Sequence, residues 1–81
     1  MEVFMYTLDE LKINESAYIS SIQITDNYRR RLLDLGFIKN NKITALYKSP
    51  SGNPTAYLIK GTIIAIRNED AKKIIITKDI C

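Results

Sequence analysis

Histidine and tryptophan are absent from this 81-residue chain, and its one cysteine is the last residue, Cys81. Zinc, copper and most iron sites take their ligands from His and Cys, so no self-contained transition-metal site and no cofactor are expected. The nine acidic residues are scattered, without the D-x-D-x-D-G spacing that cradles calcium. Nucleophilic catalysis loses its commonest base together with histidine, which leaves Ser49, Ser51 and Thr55 with nothing to activate them. Neither G-x-G-x-x-G nor G-x-x-x-x-G-K-S/T occurs, so no backbone cradle for nucleotide phosphates is expected. The chain does not read as an enzyme. A lone cysteine forms no internal disulfide, which suits a reducing compartment. No apolar run exceeds four residues, far short of the ~18 needed to cross a bilayer. The opening Met1-Glu2-Val3-Phe4-Met5 is acidic and has no long apolar stretch behind it. Neither a signal peptide nor membrane insertion is expected, and the expected location is the cytoplasm.

Proline and glycine are also scarce, two and three residues, while 46% of the chain is hydrophobic and 26% charged. This balance excludes disorder and low complexity and points to one domain over residues 1–81. A domain of this size buries only about 60% of its unfolded surface, so its core has to be efficient. The net charge of +3 is unevenly spread. Residues 1–25 hold Glu2, Asp9, Glu10 and Glu15 against Lys12, a local −3, which leaves +6 on residues 26–81. The basic stretch runs through Arg29, Arg30, Arg31, Lys39, Lys42 and Lys48. It is either a solvated face or a patch that steers an acidic partner.

Periodicity organises the chain into five short strands, one short helix and one capped turn. Thr7-Leu8-Asp9-Glu10 has capping-box spacing. From Ala17 the period is two, with Ala17, Ile19 and Ser21 on one face and Tyr18, Ser20, Ile22 and Ile24 on the other. Thr25-Asp26 supplies N-cap chemistry for a helix over Asn27–Leu35 that Gly36 terminates. At ~100° per residue, Leu35, Tyr28, Leu32 and Leu33 share one sector. Arg29 falls inside it, so either its stem snorkels along the barrel surface or Leu33 is left partly exposed, the favoured reading, while Arg30 and Asp34 face solvent as an i,i+4 pair. Lys42–Lys48 alternates again, with Ile43, Ala45 and Tyr47 inward. Ser49 to Pro54 is a dense turn cluster. Gly61 joins two strands in a tight hairpin, Asn68 to Ala71 caps a short turn, and Ile74 to Thr77 forms the last strand. Apolar residues on both faces of several strands predict a small closed five-stranded β-barrel, all-β apart from its helix. The five tyrosines are expected to be half-buried packing residues. Ala45-Leu46-Tyr47 is similar to part of the peptide-binding motif of eukaryotic SH3 domains. With no Trp present and Tyr47 expected in the core, polyproline binding is rejected.

The order of capped turn, strand and helix, with Arg-Arg-Arg-Leu-Leu-Asp-Leu-Gly-Phe at 29–37, resembles the FeoA family, ferrous iron transport protein A. The likeness continues through Ser49-Pro50-Ser51-Gly52-Asn53-Pro54, Gly61, Ile66-Arg67 and Asp70-Ala71 to the final Ile-rich strand, covering about Leu8 to Thr77. The chain departs from the family pattern at Asn14, where Gly is common, and at Asn40-Asn41, where Pro-Gly is common. Asn tolerates left-handed backbone better than other non-Gly residues.

The resemblance implies an SH3-like β-barrel and a small cytoplasmic accessory that docks on FeoB, a membrane Fe(II) transporter with a G domain, and regulates it. It also implies kinship with a domain appended to metal-dependent repressors. With no His and one terminal Cys, the chain reads as a docking module rather than an iron carrier. The candidate contact residues are Arg30, Arg31 and Leu33 with Lys39, aided by the rim from Pro50 to Pro54, because a basic flank beside an exposed Leu suits a modest interface. The alternative is a small basic barrel binding nucleic acid. A run of three arginines without a K/R-G-F/Y-type aromatic motif argues against it. A homodimer stays open.

Overall fold

Alternating apolar residues build an antiparallel sheet across residues 5–78, the part of the chain that the computed structural model describes. The expectations for Met1–Phe4 and Cys81 lie outside those residues. The strands are β1 (Met5–Thr7), β2 (Ser16–Ile22), β3 (Lys42–Lys48), β4 (Thr55–Ile59), β5 (Thr62–Ile66) and β6 (Ile74–Thr77). Two helices interrupt them, α1 (Asn27–Asp34) and the single turn α2 (Asn68–Ala71), and a 3-10 turn spans Leu8–Glu10. The strand order is β1-β6-β2-β3-β4-β5. The expected all-β, SH3-like architecture with one short helix is present, with six strands instead of five. Met5–Thr7, too short to show a period of its own, is recruited as an edge strand by pairing with Ile75–Thr77. Among the described residues β1 and β5 do not pair, so the sheet curls without closing its hydrogen-bonded ladder.

Inside the curl lie Leu8, Leu11, Ala17, Ile19, Leu32, Phe37, Ile43, Tyr57, Ile59, Ile66, Ile74 and Ile76, all buried. Each large side chain withdrawn from water contributes roughly 1.5–3 kcal/mol. Strict alternation fails at two places. In β2 the pairing with β6 shifts between Ile19 and Ser21, and the extra residue returns Ile22 to the core side with Ala17 and Ile19. In β3 the pairing with β4 shifts between Ala45 and Tyr47. Ile43 and Ala45 are buried as expected, whereas Tyr47 turns outward and is 58% exposed. This overturns the core role read for Tyr47. A bulge breaks the two-residue period that the reading relied on.

The helix ends where its chemistry dictates. The Asp26 carboxylate accepts from the Tyr28 N–H at 2.9 Å and caps the start. At the other end Gly36 takes φ +110°, the Gly36 N–H donates to the Leu33 carbonyl and the Phe37 N–H to the Leu32 carbonyl. This is a Schellman closure, with buried Phe37 and Leu32 as its apolar pair. Leu35 is therefore the C-cap rather than the last helical residue. Asn14 and Asn40 both adopt positive φ, 72° and 75°, the left-handed backbone that Asn tolerates better than other non-Gly residues. Lys60 and Gly61, at φ 51° and 76°, form the two-residue turn between β4 and β5. Paired left-handed residues match the twist of the flanking strands there.

Candidate interaction surface

Leu32 is the helix's anchor in the core, and the residues around it fix what α1 presents outward. Arg29, Arg30 and Arg31 are exposed, as is Lys39 in the following turn. Leu33 is half-buried and packs against the core. The exposed apolar residues in this region are instead Leu35 at 41% and Ile38 at 52%. Leu33 is thus partly exposed as expected, while Leu35, expected in the apolar sector, is exposed because the Schellman closure ends the helix at Asp34. Arg31, Asp34 and Leu35 line a shallow cleft of about 240 Å³. The anticipated Arg30–Asp34 pair is not formed; among the described residues the one ion pair is Lys78 to Glu15, at 3.6 Å. The cations of α1 thus have no ion-pair partner among the described residues.

A second cleft, of about 330 Å³, lies between Tyr28 on α1 and Ala65, Arg67 and Asp70. Burial pushes the Tyr28 hydroxyl above its ordinary pKa and the Asp70 charge adds to this, while Arg31 and Arg67 pull the other way. Tyr28, Arg31 and Leu35 stand three and four residues apart, so both clefts open on one flank of α1.

Pro50 is exposed and Pro54 half-buried, in a loop held by bonds from the Ser49 N–H to the Pro54 carbonyl and from the Asn68 N–H to the Asn53 side chain. This loop adjoins the Thr55–Ile66 pair, whereas Gly36 sits against Lys60 at the other end of the β4–β5 ladder. Four residue steps of strand separate those ends by roughly 13 Å. The structure therefore brings Arg31 beside Leu35, leaves Arg30 and Lys39 exposed in the same segment, and sets Pro50 and Pro54 apart from the Gly36 turn. Sequence reasoning missed Leu35, whose apolar periodicity argued for burial, and Ile38, which follows the helix and carries no periodic signal. It also missed Arg67, whose significance depends on a neighbour 39 positions away in the chain, Tyr28.

Among the described residues no three His, Cys, Asp or Glu side chains gather where a metal ion could be held. No helix there is long and apolar enough to cross a membrane.

A family model described as the FeoA domain matches residues 6–78. A Porphyromonas gingivalis protein described as an Fe(2+) transport protein A/Fe(2+) transporter FeoB fusion is 33% identical over 67 residues, which is 83% of this chain and 8% of that relative. The chain thus spans a small fraction of that relative's length. The solution structure of FeoA protein from Chlorobium tepidum superposes with a TM-score of 0.84 at 30% identity, covering 89% of this chain and 69% of that one. The crystal structure of Stenotrophomonas maltophilia FeoA with zinc, described as a prokaryotic SH3 domain protein, gives 0.75 at 32% identity, covering 86% and 87%.

Proposed function

The chain belongs to the FeoA domain family of ferrous iron transport, and from that membership we propose that it is a non-catalytic cytoplasmic accessory that docks on an FeoB-type transporter with a G domain and regulates it. The observation that carries this reading is exposed Leu35 beside the Arg31 cation in one shallow cleft, with Ile38, Arg30 and Lys39 also exposed and within five residues of it in the chain. An apolar centre with a charged rim is the makeup of a protein interface, in which the centre supplies most of the energy and the rim guides encounter. The P. gingivalis relative supports the choice of partner, since its description joins an FeoA segment and an FeoB transporter in one polypeptide. Leu33 is half-buried against the core, and the Pro50–Pro54 rim lies at the other end of the β4–β5 ladder.

Regulation requires that the module bind one state of the transporter more tightly than another. Equal affinity for both states shifts nothing. The test is binding of the transporter's cytoplasmic portion to wild type, Arg31→Glu and Leu35→Ala by titration calorimetry, with folding checked by circular dichroism. Each variant is expected to weaken binding about tenfold, near 1.4 kcal/mol. Wild-type affinity in both folded variants removes this surface.

A further inference from the structure

The edge of the sheet at β5 lacks the side-chain protections of charge and proline. Thr62-Ile63-Ile64-Ala65-Ile66 has no charge and no proline, and natural edge strands normally carry one or the other to prevent strand addition. β5 is the last strand in the order, and its register fixes which groups face outward. In a two-residue hairpin the closing pair, here Ile59 and Thr62, exchanges both backbone bonds. Thr62, Ile64 and Ile66 therefore face β4, and the N–H and C=O groups of Ile63 and Ala65 point to the open side. None of these four groups has a partner among the turn, loop and side-chain bonds of the described residues. The side chains of Ile63, 58% exposed, and of exposed Ala65 share one face.

The helix runs beside this edge. Tyr28 shares its cleft with Ala65 and Arg67, and Gly36 lies against Lys60, so α1 tracks β5 from its end back to its start. Exposed Lys60 and Arg67 flank β5 in the chain, and exposed Arg31 stands one helical turn from Tyr28, against the one carboxylate that lines the cleft, Asp70.

We propose that β5 is a strand-addition site: an extended partner segment bearing carboxylates and apolar side chains pairs with Ile63 and Ala65 along the flank of α1. The charge around the edge selects this occupant over a second copy of the chain. Two copies joined antiparallel edge to edge would set Lys60 of each toward Arg67 of the other, whereas an acidic strand neutralises these cations. The inference rests on the docking reading above and names the mode of contact.

The test uses the full chain and the cytoplasmic portion of the FeoB-type transporter. Ala65→Pro removes only an outward N–H, which an edge strand tolerates, and Ile63→Lys places a charge at an exposed position. Both are expected to weaken binding about tenfold or more with the fold retained, and the complex is expected to slow amide exchange at Ile63 and Ala65 by a similar factor. Should wild type bind and both folded variants bind equally well, the edge is refuted while docking stands. Absence of binding by wild type overturns the docking reading and this one with it. Self-association of wild type that Ala65→Pro abolishes overturns the acidic strand in favour of a second copy.

Discussion

Gly36 shows how much one residue decides. Its φ of +110° closes the helix, and a Cβ built there would come within 2.8 Å of the Lys60 Cγ. Left-handed backbone costs an ordinary residue about 1–2 kcal/mol, and the contact with Lys60 adds to that. Gly36→Ala is therefore expected to destabilise the fold by about 1–3 kcal/mol, read from the urea midpoint. A loss below ~0.5 kcal/mol would mean that the turn has another way to close. The same residue was legible in the sequence as a helix stop, because only chain-local chemistry is involved. The left-handed Lys60 was not legible, since it takes that conformation only to complete the two-residue turn with Gly61.

Among elements, β3 separates what alternation reveals from what it hides. Ile43 is fully buried between its neighbours on β2 and β4, and truncation there leaves a cavity. Ile43→Ala is expected to cost about 2–5 kcal/mol. Tyr47, beyond the bulge, is largely exposed, so Tyr47→Ser is expected to change stability by less than about 1 kcal/mol. Strict alternation would make both losses large, and parallel urea denaturation of the two variants decides between the accounts. Strand bounds for Lys42–Lys48 and Ile74–Thr77 were legible because each is a continuous β-branched or alternating run. The bulges were not, because they arise from how one strand fits another. The outward turn of Tyr47 also removes one of the two grounds for rejecting polyproline recognition; the absence of Trp remains. Of the candidate surface, the arginines and Lys39 could be read directly as charge. Leu33 could not be told from Leu35, because helical spacing places both in one sector and the cap alone decides which is released.

For the molecule as a whole, pH dependence reports on the tyrosines of the interior. Burial raises the Tyr57 hydroxyl above its ordinary value of 10.0; the Thr55 side chain opposes this and the Asp9 charge adds to it. Tyr28 is raised for the same leading reason. The folded state thus keeps these protons where the unfolded chain has begun to lose them. Stability from this source is complete below about pH 10 and is lost as pH rises through the higher folded values. Urea midpoints are expected to stay level from about pH 8 to 9.5 and to fall above pH 10, less steeply in Tyr57→Phe. An equal fall in that variant would place the titration elsewhere.

The linear order of residues determined the fold class, the helix with both its caps, the turns at Asn14 and Asn40, the basic character of α1 and the lack of His and of any Cys but Cys81. Each of these depends on residue type or on neighbours within a few positions. Tertiary structure alone decided which leucine of α1 reaches solvent, that Arg67 and Ala65 stand beside Tyr28, and that β5 ends the sheet with two residues' backbone groups turned outward. Those facts depend on segments meeting across dozens of residues, where packing and strand register, rather than local preference, select the outcome.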